Sequence, residues 1–285
     1  MGRIVVGVDG SACGDRALHW AVREAELWAA DVELLHGYVV HPHAAMLGTS
    51  DRARAEARMD EIVRRNEAVL ERARWSPTVA PLIAGPTSAL LDAGEDADLI
   101  VVGSRGLGGF HELFLGATSY RTAAHASVPV AVIRGARESV SLDGSRSVVV
   151  GVDGSRAGRR ALRWALDEAA RRAVDVTVVH AYDSTDLSQS TVMSEPQLER
   201  YFRRIHDDAV AVVDDALARA EVAGGIAVQR VVTRGSPAAV LLDGAGPDRL
   251  LVVGTRGRGA LGRMVFGSVS HQCLHHATGP VVVVP

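Results

Sequence analysis

The chain has 285 residues, of which 47% are hydrophobic and 23% charged, and this composition is typical of a globular protein rather than a disordered one. Arg supplies all 31 basic residues against 34 acidic ones, so the formal net charge of −3 offers no basic excess for binding nucleic acid or an anionic membrane. The absence of Lys also excludes a Walker A phosphate loop, a protein kinase and Schiff-base catalysis.

The cysteines and the start of the chain indicate where the protein works. Cys13 and Cys273 are too few for a disulfide framework or a multi-cysteine zinc cluster. The apolar run near the start ends at Asp9, which makes it too short for a signal-peptide core or a membrane span. We therefore expect a soluble protein of the cytoplasm.

The sequence contains a tandem repeat. Residues 4–11 read IVVGVDGS and residues 148–155 read VVVGVDGS. Further on, residues 99–106 read LIVVGSRG and residues 250–257 read LLVVGTRG. The first pair is 144 positions apart and the second pair 151, so the second half has gained seven residues in between.

This repeat predicts two copies of one domain. The first covers residues 1–134 and the second residues 147–285. Between them, residues 135–146 are polar, contain Gly, Ser, Arg and Glu, and show no hydrophobic period, which is typical of a linker.

Within the first half, apolar β-branched runs alternate with segments of helical period. In chain order the predicted elements are strand Arg3–Val8, helix Asp15–Ala30, strand Val32–Val40, helix Asp51–Arg74, strand Thr78–Ala84, strand Leu99–Val102, helix Thr118–Ala126 and strand Pro129–Ile133. The second half follows the same order. Strands that alternate with helices form parallel sheets with right-handed crossovers. We therefore predict an α/β protein of two tandem doubly wound domains, each a five-stranded parallel sheet flanked by helices in a flavodoxin-like layout.

Acidic and glycine-rich segments follow the strands at which open α/β sheets bind their ligands. Asp9 and Asp153 follow the first strand of each half. The glycine-rich turns after the fourth strands, and the helix openings after them, are Gly103-Ser104-Arg105-Gly106, Gly254-Thr255-Arg256-Gly257, Gly116-Ala117-Thr118-Ser119 and Gly267-Ser268-Val269-Ser270. Glycines let the backbone approach an anion, and a helix N-terminus adds N–H groups and a positive dipole. Since carboxylates accept hydrogen bonds from ribose hydroxyls, the set fits a nucleotide.

A simpler interpretation of these residues stays open. Glycines after strands also make tight turns, and Ser or Thr also caps helices. The spacing within the second half is more telling, because Gly254 and Gly257 are followed, after nine further residues, by Gly267 and Ser268.

With these motifs the sequence resembles the universal stress protein family in its tandem-domain form, over nearly the whole chain. The resemblance rests on the VGVDGS opening, on the strands that end in His36 and His180, and on the Gly-x-x-Gly-x(9)-Gly-Ser/Thr motif. It implies an adenine nucleotide alpha hydrolase-like domain, ATP binding in many members, dimerisation, and roles in stress survival, dormancy or growth control without robust ATPase activity.

The resemblance also assigns roles to residues. Asp9 and Asp153 are expected to contact the nucleoside, and the backbone of Gly37 and Ala181 to contact adenine. The expected ATP-binding residues of the first half are Gly7, Val8, Asp9, Gly37, Gly103, Arg105, Gly106, Gly116, Ala117, Thr118 and Ser119. Those of the second half are Gly151, Val152, Asp153, Ala181, Gly254, Arg256, Gly257, Gly267, Ser268, Val269 and Ser270. No catalytic residue and no metal ligand is expected.

Together these features predict a regulatory protein that binds ATP, with Mg²⁺, in one pocket per half, and that forms a homodimer without nucleic-acid or membrane partners. We expect tighter binding in the second half, because Ala117 stands where Ser or Thr is usual and Glu112 lies in the preceding loop. The alternative is that Glu112 points to solvent. Two alternatives stay open: a slow ATPase or nucleotidyl-transferring enzyme, and an interaction module that binds no nucleotide.

Some further signals carry less weight. Residues 257–262 spell G-x-G-x-x-G, but they follow a fourth strand and lack the acidic residue of a dinucleotide fingerprint. His271 and His275 share a helix face and could hold zinc, although a capped helix explains them as well. Cys13, at a helix start, is either redox-sensitive or simply packed. His36 and His180 are expected to orient backbone rather than to catalyse.

Overall fold

The computed structural model describes residues 2–38, 51–81, 85–106, 115–134, 147–182, 194–222, 224–257 and 266–285. Contacts divide the chain into two compact units. The first unit is Met1–Asp143 with Pro280–Val283 and Pro285, and the second is Gly144–Gly279 with Val284. The predicted linker, residues 135–146, lies outside the described residues, so the domain boundaries stay a prediction.

The first unit is built on a parallel sheet. Its elements are β1 (Arg3–Gly7), α1 (Ala12–Trp28), β2 (Asp31–Tyr38), α2 (Asp51–Arg65), α3 (Glu67–Leu70), β3 (Trp75–Pro81), α4 (Pro86–Gly94), β4 (Leu99–Gly103), α5 (Ala117–His125) and β5 (Val130–Ile133). The five strands run parallel in the order β3-β2-β1-β4-β5. A further strand from the end of the sequence, β10 (Val281–Val284), pairs antiparallel with β5, with Val282 opposite Ala131.

The second unit repeats this arrangement. Its elements are β6 (Val148–Gly151), α6 (Arg156–Arg172), β7 (Val176–Tyr182), α7 (Glu195–Ala218), β8 (Val228–Arg234), α8 (Pro237–Ala245), β9 (Leu250–Gly254) and α9 (Ser268–His276). The strands β8-β7-β6-β9 are neighbours in this order, and their recorded pairings are parallel.

The doubly wound α/β fold is confirmed in both units. The strand order differs in detail from a flavodoxin sheet, which has the order 2-1-3-4-5. Here β2 and β3 extend to one side of β1, and the chain then returns to place β4 on the other side. The order reverses between β1 and β4, and between β6 and β9, so a crevice opens there at the carboxyl ends of the strands.

The central strands form the core because they are covered on both faces. Val148, Val149 and Val150 are fully buried, as are Leu99, Ile100 and the other apolar residues of β4 apart from slight exposure at its end. Such continuous apolar runs are expected of strands covered by helices on both sides. Among the residues that the structure describes, no helix combines the length and apolar character needed to cross a membrane.

The predicted helix Asp51–Arg74 was wrong in its length. It divides into α2 and α3 at Asn66, which is 4% exposed. The Asn66 amide donates to the carbonyl of Ile62 at 2.8 Å and to Asp15 at 3.1 Å, and its oxygen lies 2.8 Å from His19 Nε2. These side-chain bonds compete with the helical pattern and end it.

Other differences concern boundaries and one missed helix. Strand β3 begins three residues before the predicted Thr78, and residues 82–84 lie outside the described part of the chain. Helix α1 begins at Ala12 rather than Asp15, because the Ser11 hydroxyl accepts the N–H of Gly14 at 3.1 Å and caps the first turn. Helix α4 was not predicted.

Candidate functional site

Each unit has a cavity at the carboxyl ends of its strands. The volume is about 430 Å³ in the first unit and about 640 Å³ in the second. Both lie in the range of small-molecule sites, roughly 300–1,000 Å³. The walls come from the ends of three strands and from the starts of three helices. This is where the reversal of strand order opens the sheet.

The cavities gather the residues singled out in the sequence. All eleven predicted residues of the first half, from Gly7 to Ser119, line the first cavity. All eleven of the second half, from Gly151 to Ser270, line the second. That these residues bind ATP stays a prediction.

Asp9 and Asp153 organise the turns that follow β1 and β6. Asp9 Oδ1 accepts hydrogen bonds from the Ser11 N–H at 2.9 Å and from the Ser11 hydroxyl at 2.6 Å. Asp153 Oδ1 accepts the Ser155 N–H at 2.9 Å. The intervening Gly10 has a φ of +81°, a left-handed conformation that favours glycine.

The second oxygen of each carboxylate faces a glycine turn. A Cβ added to Gly106 would lie 2.5 Å from Asp9 Oδ2, and one added to Gly257 would lie 2.7 Å from Asp153 Oδ2. Real Cβ atoms do not approach oxygen so closely. The second glycine of each turn is therefore needed to make room for the carboxylate in the cavity.

The first glycine of each turn has a packing role instead. A Cβ on Gly103 would lie 2.6 Å from the carbonyl oxygen of Cys13, and one on Gly254 would lie 2.8 Å from the carbonyl carbon of Ala157. These glycines let β4 and β9 approach α1 and α6. Close packing alone is a sufficient reason for glycine at these two positions.

The starts of α5 and α9 present backbone N–H groups to the cavities. In α5 the first intrahelical bond runs from the N–H of Tyr120 to Gly116, so Ala117, Thr118 and Ser119 precede it. In the described part of the chain these three N–H groups have no backbone acceptor. Helix starts of this kind attract anions, because the N–H groups and the helix dipole point at them.

Two of the predicted hydroxyls are already engaged. The Ser119 hydroxyl donates to the carbonyl of Gly103 at 2.6 Å, and the Ser270 hydroxyl to that of Gly254 at 2.5 Å. Each hydroxyl has one proton, so neither can donate to a ligand while this bond lasts. Ser268, exposed at the first turn of α9, is better placed to donate.

His36 and His180 form hydrogen bonds with backbone carbonyls, as expected. In each case Nδ1 lies 2.7 Å from a carbonyl oxygen, that of Val8 for His36 and that of Val152 for His180. Each bond joins the end of one strand to the segment after its neighbour. Both rings also line the cavities.

The two cavities differ at their helix starts. Ala117 and Ser268 occupy the same exposed position, so only the second cavity has a hydroxyl there. The second cavity is also lined by His271. Glu112, which entered the prediction of unequal binding, lies outside the described residues.

The distribution of positive charge favours anion binding in the first cavity over the second. Arg134 follows β5, and burial together with the nearby positive charge of Arg105 lowers the pKa of its guanidinium. Pro285 follows β10 at the corresponding position of the second half. The first unit thus keeps an additional positive charge close to Arg105, a cavity-lining residue.

Each cavity also has an apolar wall that was not predicted from the sequence. Pro86 and Leu90 of α4 line the first cavity, and Pro237 and Leu241 of α8 line the second. The signal was present in the repeat: each half has a proline followed shortly by Leu-Leu-Asp. Proline at a helix start and this repeated triplet would have predicted both helices.

Other candidate sites have less support. The rings of His271 and His275 lie 4.4 Å apart, but burial raises the pKa of the Cys273 thiol to about 12, so it stays protonated. Within the described ranges no group of three or more His, Cys, Asp or Glu residues could hold a metal ion. Cys13 is half-buried and accepts a bond from Arg16 at 2.9 Å.

Comparison with known proteins agrees with the fold and the motifs. Residues 1–134 and 144–285 each match the universal stress protein family. A universal stress protein of Mycolicibacterium smegmatis is 34% identical, covering 99% of this chain and 96% of its own length. Universal stress protein Rv2623 of Mycobacterium tuberculosis is 32% identical, with 98% and 95% covered. The crystal structure of a universal stress protein from Archaeoglobus fulgidus shares the fold, with a TM-score of 0.63, 19% identity, and 99% and 97% covered. The chain belongs to the universal stress protein family, as a tandem of two such domains.

Proposed function

We propose that each cavity binds an adenine nucleotide, ATP with Mg²⁺, and that occupancy regulates the protein rather than feeding a reaction. The observation that carries this proposal is the coincidence, in both units, of a strand-end carboxylate, a glycine turn shaped around it and a helix start with unengaged N–H groups. These three features suit a ribose, the approach of phosphate and the phosphate charge.

The backbone at the end of β2 suits adenine. The N–H of Val8 donates to the carbonyl of Leu35 at 2.9 Å, so the backbone groups of Leu35 face β1. Two residues on, the N–H and C=O of Gly37 face the same way, beyond the end of β1. A neighbouring donor and acceptor match the N1 acceptor and the amino donor of adenine, whereas guanine presents the opposite order.

The ribose and phosphates would then follow from the base. Asp9 and Asp153 keep their Oδ2 atoms toward the glycine turns, where a ribose hydroxyl can donate. The N–H groups at the starts of α5 and α9 would receive the phosphates. Since no protein metal cluster occurs among the described residues, Mg²⁺ would be held chiefly by the phosphates themselves.

A regulatory role is favoured over catalysis. His36 and His180 donate through Nδ1 to backbone carbonyls, and Asp9 and Asp153 bind turn N–H groups, so these groups serve positioning. A slow ATPase is the enzyme alternative. An interaction module without nucleotide is the other, and Ala117 favours it for the first cavity only.

The second cavity is proposed to bind more tightly, because it is larger and carries the Ser268 hydroxyl. The positive charge of Arg134 beside Arg105 acts in the opposite sense and reduces the difference. Association into a homodimer and a cytoplasmic location belong to the same proposal.

The first experiment is to denature the purified protein and to quantify adenine nucleotide per chain. Wild-type protein should release ATP, Asp153→Ala should release much less, and Asp9→Ala should lose only the smaller share. Millimolar ATP with Mg²⁺ should raise the melting temperature. Release of no nucleotide, together with an unchanged melting temperature, would contradict the proposal. Steady release of phosphate after ATP is added would favour the slow ATPase.

A further inference from the structure

His36 and His180 make the same hydrogen bond to backbone in the two units. Nδ1 of His180 lies 2.7 Å from the carbonyl oxygen of Val152, and Nδ1 of His36 lies 2.7 Å from that of Val8. A carbonyl oxygen can only accept, so Nδ1 carries the proton and donates. The ring orientation is thereby fixed in both units.

The carbonyl that His180 binds is the next acceptor of the ladder between β6 and β7. The N–H of Val152 donates to the carbonyl of Val179 at 2.9 Å, just beyond the end of β6. In a parallel ladder the following bond would run from the N–H of Ala181 to the carbonyl of Val152. The side chain of His180 takes that carbonyl, and no such backbone bond occurs among the described residues.

The backbone of Ala181 therefore faces the cavity instead of a neighbouring strand. On the other side of β7, Val176 donates to Ala227 and Tyr182 accepts from Gly235, both at 3.0 Å, so the backbone groups of these residues face β8. Alternation along the strand turns the N–H and C=O of Ala181 the other way, past the end of β6. Ala181 lines the second cavity there.

The first unit has the same geometry. Val32 donates to Arg74 at 2.8 Å, toward β3, and Leu35 accepts from Val8 at 2.9 Å, toward β1. Gly37 follows the alternation of Leu35, and His36 holds the Val8 carbonyl that Gly37 would otherwise bind. The arrangement recurs although Gly37 and Ala181 differ.

We propose that His36 and His180 are positioning residues that set the base selectivity of the two cavities. Each imidazole removes a carbonyl from the strand ladder and so keeps one backbone N–H and its neighbouring C=O available to a nucleobase. This inference rests on the proposed binding of adenine nucleotides. Without the imidazole the ladder closes by one bond, the N–H is consumed, and adenine loses its advantage over guanine.

Two double variants separate the hydrogen-bond donor from the rest of the imidazole ring. Asn carries an N–H₂ on the same carbon that bears Nδ1 in His, so the pair His36→Asn and His180→Asn retains the donor. The pair His36→Leu and His180→Leu removes it at similar size. ATP and GTP affinities of the two double variants and of wild-type chain would be measured by isothermal titration calorimetry with Mg²⁺.

The wild-type chain is expected to prefer ATP over GTP by about tenfold or more, the equivalent of one lost hydrogen bond at 1.4 kcal/mol per tenfold. The Leu pair should reduce this preference at least fivefold, and the Asn pair should keep it within about twofold. A preference unchanged in the Leu pair, with only the melting temperature lowered, would show that the histidines are merely structural. Loss of the preference in the Asn pair as well would also overturn the proposal.

Hydrogen exchange of the Ala181 amide tests the same idea without nucleotide. The amide should exchange fast in the wild-type chain and in the Asn pair, and slowly in the Leu pair, because its N–H then binds Val152. Equal exchange in all three would overturn the inference. A chain that binds neither ATP nor GTP but shows this exchange pattern would contradict the proposed function and leave the ladder geometry standing. His180→Leu alone replaces the pair if the double variant does not fold.

Discussion

Replacing Gly257 by Ala should displace Asp153 and weaken ATP binding in the second cavity. The new Cβ would lie 2.7 Å from Asp153 Oδ2, whereas carbon and oxygen normally stay about 3.3 Å apart, so the carboxylate must retreat by roughly 0.6 Å. This retreat carries Oδ2 away from the ribose hydroxyl that it is proposed to accept, so that hydrogen bond to the ligand is lost. A hydrogen bond to a charged group contributes about 1.5–3 kcal/mol, so affinity should fall about 10- to 150-fold.

The assay is equilibrium dialysis with ATP and Mg²⁺, which resolves the two sites by their stoichiometry. Gly106→Ala is the matched variant, with its Cβ 2.5 Å from Asp9 Oδ2, and should weaken the other site. Gly244→Ala is the control, because its Cβ would meet nothing closer than 4.0 Å, and it should raise the free energy of unfolding by up to about 1 kcal/mol. Undiminished binding by Gly257→Ala, or equal weakening by the control, would refute the reasoning.

Further predictions concern the hydroxyl, the packing and the thiols. Ser268→Ala should lower the ATP affinity of the second site about three- to tenfold, and Ala117→Ser should raise that of the first by a similar factor, both measured by equilibrium dialysis. No change in either affinity would show that a hydroxyl at this position does not contact the nucleotide. Gly254→Ala places a Cβ 2.8 Å from backbone and should lower the free energy of unfolding in urea by about 1–3 kcal/mol. Since burial raises the pKa of Cys273 from 9.0 to about 12, only Cys13 should react with a thiol reagent at pH 8. As the pH rises above 9, the Cys273 thiol ionises in the unfolded chain before it does in the folded one. The free energy of unfolding should therefore fall by up to about 1.4 kcal/mol per pH unit until about pH 12. Two reactive thiols at pH 8, or a free energy of unfolding that does not change over this pH range, would contradict the prediction.

The fold and the site followed from the repeat and from the strand ends. Buried runs such as Leu99–Gly103 are apolar throughout, so their strands could be predicted from composition alone. The position of Asp9 after such a run then placed it at the cavity by the geometry of parallel sheets. The two copies of each motif marked the same strand ends in both halves.

What could not be predicted depends on contacts between distant residues. Asn66 fits the helical pattern of its neighbours, and its partners His19 and Asp15 are distant in the sequence. The end of α2 could therefore not be predicted from the local sequence. Likewise, that Ser119 donates to Gly103 rather than to the cavity depends on how α5 packs. Local pattern gives no information on such bonds.

The pairing of β10 with β5 constrains how the protein is made. Residues 280–283 belong to the first unit, yet a ribosome adds them only after the whole of Gly144–Gly279. Until then β5 carries an open edge, and open edges pair readily with other chains. The first unit is therefore the earlier to be synthesised and the later to be completed, and a nascent chain must protect the edge of β5 while the second unit emerges. A split or truncated gene product that ends before Pro280 would keep that edge exposed permanently.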